Sequence, residues 1–228
     1  RYTASDHKWL PSANVAYMLA DGLVLRGAAA RTLTRADPNQ LAPRFDLSLD
    51  ADNYTIGNPA LKPFYADNFD AGIEWYPKSR SVVTFNAWWK KIYDYPYNLP
   101  SQQLFSTLNI DFARLSTRQQ AGLINLGNGD YNKASVTVVQ RRNSDLIINL
   151  AGQEASWIQP TDFLLKGTGF NINVTHIKQS LSGTVPVGFN PNSLLAGLAP
   201  WTYNGTIYYE NKAFQLRFSY THRDANLS

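Results

Sequence analysis

Asn68-Phe69-Asp70-Ala71-Gly72-Ile73-Glu74-Trp75-Tyr76, then Pro77-Lys78-Ser79-Arg80, then Ser81-Val82-Val83-Thr84-Phe85-Asn86-Ala87-Trp88-Trp89-Lys90 is the stretch that decides the fold. Phe69, Ala71, Ile73 and Trp75 alternate with Asn68, Asp70 and Glu74. After a four-residue link, Val83, Phe85, Ala87 and Trp89 alternate with Thr84, Asn86 and Lys90. Successive side chains of a strand point to opposite faces, so each segment predicts a strand with one apolar and one polar face, over about 66–76 and 81–93. The link is short enough to make them antiparallel neighbours.

The same pattern recurs outward in both directions. On the N-terminal side, about 9–20 sets Ala13, Val15, Tyr17 and Leu19 against Ser12 and Asn14. Asp21-Gly22 is a hairpin signal, and about 23–34 sets Leu23, Leu25, Gly27 and Ala29 against Arg26. On the C-terminal side, strands are expected at about 146–158, 167–178, 200–209 and 213–222. The first is too irregular for its faces to be assigned. The others oppose Phe170, Ile172 and Val174 to Asn171 and Asn173, Trp201, Tyr203 and Ile207 to Thr202 and Asn204, and Phe214, Leu216, Phe218 and Tyr220 to Gln215, Arg217 and Ser219. A further short strand is expected near 135–141, and no window stands out as an amphipathic helix.

The links alternate in length. Asp21-Gly22, 77–80, roughly 159–166 and Glu210-Asn211-Lys212 are short, whereas roughly 35–65, 94–145 and 179–199 are long. Tight turns at one end and long loops at the other, joined by strands of 10–12 residues, are the signature of a transmembrane β-barrel. Ordinary strands average about 5–6 residues. Aromatic residues gather at both strand ends, Tyr17, Trp75, Tyr76, Trp157, Tyr208 and Tyr209 near the turns and Trp9, Trp89, Tyr93, Trp201 and Tyr220 near the loops. Two such girdles match two water–lipid interfaces. Arg26, Asp70, Glu74, Lys90 and Arg217 would then face a lumen.

Composition agrees. Of 228 residues, 17% are charged, against about a quarter in ordinary soluble domains, and 13% are aromatic. The net charge of +4 comes from scattered side chains, so no nucleic-acid partner is expected. With no cysteine, neither disulfides nor thiolate metal sites are available. No apolar run is long enough for a helical span, and a mean hydropathy of −0.32 is compatible with a barrel, whose strands alternate. No signal peptide precedes Arg1-Tyr2-Thr3, and the chain ends at Ser228, so a piece of a longer protein is expected.

Leu10-Pro11-Ser12-Ala13-Asn14, Arg31 and Arg35 within 23–41, and Gly57-Asn58-Pro59-Ala60-Leu61-Lys62-Pro63 resemble motifs of TonB-dependent outer-membrane receptors. The first of these opens the likeness. Residues 23–41 resemble a barrel strand ending in Arg-x-x-x-Arg, here Arg31 and Arg35, before an Asp-Pro loop. Gly57-Asn58-Pro59-Ala60-Leu61-Lys62-Pro63 is similar to the family's Gly-Asn-Pro-x-Leu-Lys-Pro motif, and Asn68, Asp70, Glu74-Trp75-Tyr76 and Trp89-Lys90-Lys91-Ile92 follow it in order. Gly197-Leu198, Tyr203-Asn204, Tyr208-Tyr209-Glu210, Arg217 and Arg223-Asp224 resemble a later hairpin. The resemblance implies that residues 1–228 are part of a barrel of about 22 strands, eight or nine of them here, without the plug domain, signal peptide or terminal strand. It also implies TonB-energised import of an oligosaccharide, ferric siderophore or cobalamin, and no catalysis. The expected partners are outer-membrane lipid, the rest of the receptor, the TonB complex and a small nutrient.

Candidate ligand-binding residues follow from the rim. Trp88-Trp89-Lys90-Lys91-Ile92-Tyr93-Asp94-Tyr95-Pro96-Tyr97 offers aromatics for stacking and cations for an anionic ligand. Trp88, Lys90, Tyr93, Tyr95 and Tyr97 are the candidates, against the plainer role of girdle or loop packing. Arg31 and Arg35 are further candidates, or else braces for the loop through Asp37, Asp46 or Asp50. His7, His176 and His222 are too scattered for a metal site or triad, so no metal or other cofactor is expected. Two alternatives are a soluble carbohydrate-binding β-sandwich, whose apolar faces would meet in a dry centre, and an outer-membrane hydrolase, for which no Ser or Asp nucleophile with a neighbouring His stands out.

Overall fold

The computed structural model describes residues 7–42, 45–77, 80–185 and 198–225. Lys78 and Ser79 of the second short link, and 186–197 within the third long one, lie outside the described residues. The architecture is a large open sheet carrying a smaller folded module on its long loops. The large sheet has eight strands: β1 (Ser12–Ala20), β2 (Leu23–Thr34), β5 (Phe64–Trp75), β6 (Val82–Tyr93), β9 (Ile147–Pro160), β10 (Thr168–Ser182), β11 (Trp201–Glu210) and β12 (Gln215–Arg223). They are adjacent in that order, and every neighbouring pair is antiparallel. All eight expected long strands form, and β1 and β12 are the two edges.

Register fixes the faces, because directly paired residues of antiparallel strands project to the same side. Ala71 lies beside Ala87 and Gly27, Ile73 beside Phe85 and Leu25, and Phe69 beside Trp89 and Ala29. This side continues through Ala155, Val174, Tyr203 and His222. It is covered by nothing: Phe69, Phe85, Ile207 and Phe218 are 47%, 44%, 61% and 68% exposed. A β-sandwich would bury these residues, so that alternative is overturned. The apolar side faces outward from the sheet, as a barrel's lipid face does.

The other side runs through Gly72, Asn86, Glu154, Thr175 and Thr202 to Arg223, and it is mainly polar. Register also resolves β9, whose faces the alternation leaves ambiguous. Glu154 and Ser156 share the inner side with Asn86 and Thr84, but so do Ile148 and Leu150, opposite Ile92 and Lys90. The strand changes character halfway because its upper part packs under the loops. In β1 the pairing shifts between Met18 and Ala20, so Leu19 falls at an irregularity rather than continuing the outer row. Tyr208 and Tyr76 also depart from the expected girdle. Tyr208 shares the inner side with Arg217, and the Tyr76 hydroxyl donates to Glu74 Oε2 at 2.8 Å.

The long links hold the only extensive buried core among the described residues. β3 (Phe45–Leu47), β4 (Asn53–Ile56), β7 (Pro96–Leu104) and β8 (Ser135–Asn143) form a second sheet in the order β3-β4-β8-β7. β4 and β8 are parallel, which two strands from different long loops can achieve without a hairpin. β8 is the short strand expected near 135–141. Against the sheet lies an unexpected helix, α2 (Thr117–Leu126), with a four-residue helix α1 (Pro38–Leu41) nearer the rim. A capping box starts α2, with Ser116 Oγ accepting from Gln119 N and the Gln119 side chain accepting from Ser116 N. Its weak amphipathicity hid it, since its only fully buried side chain is Leu123. Leu123 joins Leu47, Ala51, Tyr54, Phe105, Ala134, Val136 and Val138 in one cluster.

Candidate functional site

The module is clamped to the top of the sheet by the Gly57–Pro63 segment. Asn58 N donates to Gln40 O at 2.7 Å, its Nδ2 donates to Arg141 O at 2.8 Å, and its Oδ1 accepts from Ala60 N. Lys62 N donates to Asn143 Oδ1, while Asn143 Nδ2 donates back to Lys62 O and across to Asp94 O, each within 2.9 Å. Leu61 is buried beneath. Asn58 and Asn143 therefore tie together four stretches of chain, at Gln40, Asn58–Lys62, Asp94 and Arg141–Asn143, which gives the motif a structural role.

Below this clamp the inner side of the sheet divides into an apolar upper zone and a polar lower one. In the upper zone Leu146, Ile148 and Leu150 are buried under Trp88, Ile92, Tyr95, Leu181 and Leu198. The Trp88 indole lies against Gly152 so closely that a Cβ there would overlap the ring. In the lower zone Arg26 Nε meets Glu74 Oε1 at 2.7 Å. Asn173 Nδ2 donates to Glu154 Oε1 at 2.6 Å, and Thr206 and Ser219 share a hydroxyl hydrogen bond at 2.9 Å. The Arg217 guanidinium sits 5.9 Å from the Tyr208 ring centre. An open concavity of about 500 Å³ is lined by Asn14, Arg26, Asp70, Asn86 and Trp88, with Ala28 and Gly72 leaving its floor low. Among the described residues no ion pair engages Asp70 or Lys90. The surface is thus hydrophilic and already internally paired, with single charges left to meet a solute or another part of the protein.

The sequence candidates fall into three places. Trp88 and Lys90 are on the inner side of β6, and Tyr95 joins the same apolar cluster, edge-on to Phe64 at 5.4 Å. Tyr97 is in β7 opposite Arg142, within the module. Tyr93 and Arg31 are on the outer side near the loop end. Tyr93 is opposite Tyr65 with the Lys91 ammonium 5.2 Å from its ring centre. Arg31 forks onto Asp67, with Nε at 2.6 Å and Nη2 at 2.8 Å from its two oxygens. Asp67 replaces the expected Asp37, Asp46 or Asp50 as its partner, because the paired register sets Arg31 beside Asp67. Asp50 instead meets Arg118 of α2. Arg35 is exposed beyond the end of β2 and makes no ion pair among the described residues. Glu154, Asn173 and Asn204 are the inner-face residues that the sequence does not single out. Glu154 lies on the strand whose faces alternation could not assign.

An antiparallel sheet, uncovered and apolar outside, mainly polar inside, and joined by tight turns at one end and a folded module at the other, defines a portion of a transmembrane β-barrel wall. The model for the TonB dependent receptor-like β-barrel matches residues 1–228, and the chain belongs to that family. Among solved structures it is similar to the siderophore receptor PirA from Pseudomonas aeruginosa, at 16% identity and a TM-score of 0.60, over 94% of this chain and 30% of that one. A mutant of the ferric enterobactin receptor PfeA from the same organism, in complex with enterobactin, gives 18% identity, a TM-score of 0.63 and coverage of 94% and 28%. The FrpB iron transporter from Neisseria meningitidis gives 13%, 0.57, and 93% and 26%. At these identities the likeness is one of fold, and the chain spans less than a third of each receptor. No curated protein sequence matches it.

Proposed function

We propose that these residues form part of the wall and the outer rim of a receptor in the bacterial outer membrane that imports a scarce nutrient. The observation that carries this reading is the two-sided sheet. Its outer side leaves Phe85 and Phe218 uncovered, whereas its inner side is laced by the Arg26–Glu74 pair and the Glu154–Asn173 bond. An apolar exterior suits hydrocarbon, and a paired polar interior suits a solute path or a plug. Energy would come from the TonB complex through a plug domain filling the lumen, and this portion performs no covalent chemistry.

The substrate class we favour is a ferric siderophore, because PirA is a siderophore receptor, PfeA a ferric enterobactin receptor and FrpB an iron transporter. Cobalamin and oligosaccharides are the other classes. Lys90 is the best placed of the sequence candidates for an anionic ligand, on the inner side with no ion pair among the described residues. Trp88, Tyr95 and Tyr97 would shape the floor and the module beside it, while Tyr93, Arg31 and Arg35 would act at the rim. The test is uptake of radioactive iron from a panel of siderophores by cells with no other such receptor, expressing the full-length protein with and without TonB. TonB-dependent uptake of at least one complex is expected. Uptake of cobalamin or an oligosaccharide instead would replace the substrate class, and no TonB-dependent uptake of any of these would overturn the reading.

A further inference from the structure

The link between β9 and β10 differs in chemistry from the other short links. Asp21-Gly22, 77–80 and Glu210-Asn211-Lys212 are polar or charged, whereas this one reads Thr161-Asp162-Phe163-Leu164-Leu165-Lys166. Phe163, Leu164 and Leu165 are 74%, 78% and 59% exposed, three large apolar side chains in succession on a hydrogen-bonded turn. The exposure does not come from slack backbone. Leu164 N and Leu165 N both donate to Thr161 O, Thr168 N and Oγ1 donate to Leu165 O, and Gly167 N donates to Asp162 Oδ1. Arg80 pairs with Asp162 from the neighbouring turn, so the loop is held from the side as well. The turn presents its apolar residues by construction.

The two flanks of the turn meet different surfaces. Asp162, with Arg80, Gly167, Glu210 and Lys212, borders a charged recess at the inner rim. Thr161 and Thr168 border a groove on the outer side whose walls are Phe170, Ile207, Leu216 and Phe218. Trp157 and Phe170 stack edge-to-face at 4.9 Å on that same outer side, just above the turn. The exposed triplet sits between Thr161 and Thr168, the two turn residues that border this outer groove, and is followed by the exposed Lys166. Apolar side chains beside a cation at the boundary of a hydrocarbon layer are what an interfacial anchor requires.

We infer that Phe163-Leu164-Leu165 inserts into the headgroup boundary of the periplasmic leaflet and anchors this end of the barrel wall in lipid. The inference rests on the outer side of the sheet facing lipid. The test uses spin labels on the full-length receptor in vesicles of phosphatidylethanolamine and phosphatidylglycerol. These residues contain no cysteine, so with any cysteine elsewhere in the receptor replaced by serine, Leu164→Cys, Phe218→Cys and Lys212→Cys each give one labelled position. Collision with oxygen, which concentrates in lipid, is compared with collision with a water-soluble nickel chelate. Position 164 is expected to favour oxygen severalfold over position 212 and to approach position 218. If 164 matches 212 while 218 favours oxygen, the anchor is wrong and the lipid face stands. If 164 is shielded from both reagents, a protein occupies the turn and the lipid anchor is overturned. If 218 itself favours nickel, the lipid-face reading fails first and takes the anchor with it.

Discussion

Phe85 sits in the middle of β6, flanked on the outer side by Ile73 and Ala155, and 44% of it is open. In water, such a residue would be a liability repeated along every strand. In hydrocarbon it is the ordinary solution, since no hydrophobic penalty attaches to exposure there. Replacing Phe85 by Arg should therefore cost about 2–4 kcal/mol of membrane-inserted stability, the penalty for a cation at mid-bilayer. Denaturant titration of the full-length receptor folded into vesicles measures it, and an unchanged midpoint would place Phe85 away from lipid. Trp88, one position later, projects to the opposite side and lies against Gly152. Its ring is committed to the wall, so its contribution to a ligand surface is a flat face rather than a projecting side chain.

At the scale of elements, the loop module behaves as a small protein on a membrane scaffold. Leu123 is fully buried at the contact of α2 with the second sheet. Leu123→Ala should lower the module's stability by about 2–5 kcal/mol through lost burial and a cavity. Limited proteolysis reads this out: cuts should appear within 94–145 while the barrel portion stays resistant, and cuts spread evenly over the strands would deny the module its independence. Acid acts on the same element. The Ser48 hydroxyl, donating to Asp52 at 2.7 Å, holds that carboxyl below the usual carboxylate range, and the Asn132 backbone N–H does the same for Asp130. A depressed folded value means stability that is present above the ordinary carboxylate range and lost as pH falls toward the folded one. The module's thermal midpoint, followed by near-ultraviolet circular dichroism, should hold between neutral pH and about 5 and fall below about 4. A fall on raising the pH from neutral would contradict the assignment.

At the scale of the whole chain, the described residues form an eight-stranded sheet with β1 and β12 at its edges and one uncovered apolar side, with the loop module built on its long links. Unpaired edges and exposed hydrocarbon both promote association, so a polypeptide of these 228 residues should aggregate in plain buffer and disperse in detergent. Sedimentation velocity distinguishes the two, and a monodisperse species without detergent would sink the membrane reading. The existence of the eight long strands and of β8, the sides of seven of those eight and the alternation of tight turns with long loops were legible in residues such as Phe69 to Trp75, because a period of two is written locally; β3, β4 and β7 fell in stretches that read as loops. β9 was not, because Ile148 and Leu150 are apolar on the inner side for a reason lying in another segment, the rim over which Trp88 and Tyr95 pack. Helix α2 was hidden likewise, since Leu123 alone marks its buried side. Of the candidate site, the sequence located Lys90 and Trp88 on the inner side, but the Arg31–Asp67 fork needed the register of β2 against β5. The sequence by itself determined the two-faced strands and hence the solvent each face meets, since side-chain alternation is a property of the backbone. Only the tertiary structure decided which segments pair across the long loops, because contacts such as Arg31 with Asp67 and Asn53 with Thr137 depend on chain closure that no local pattern encodes.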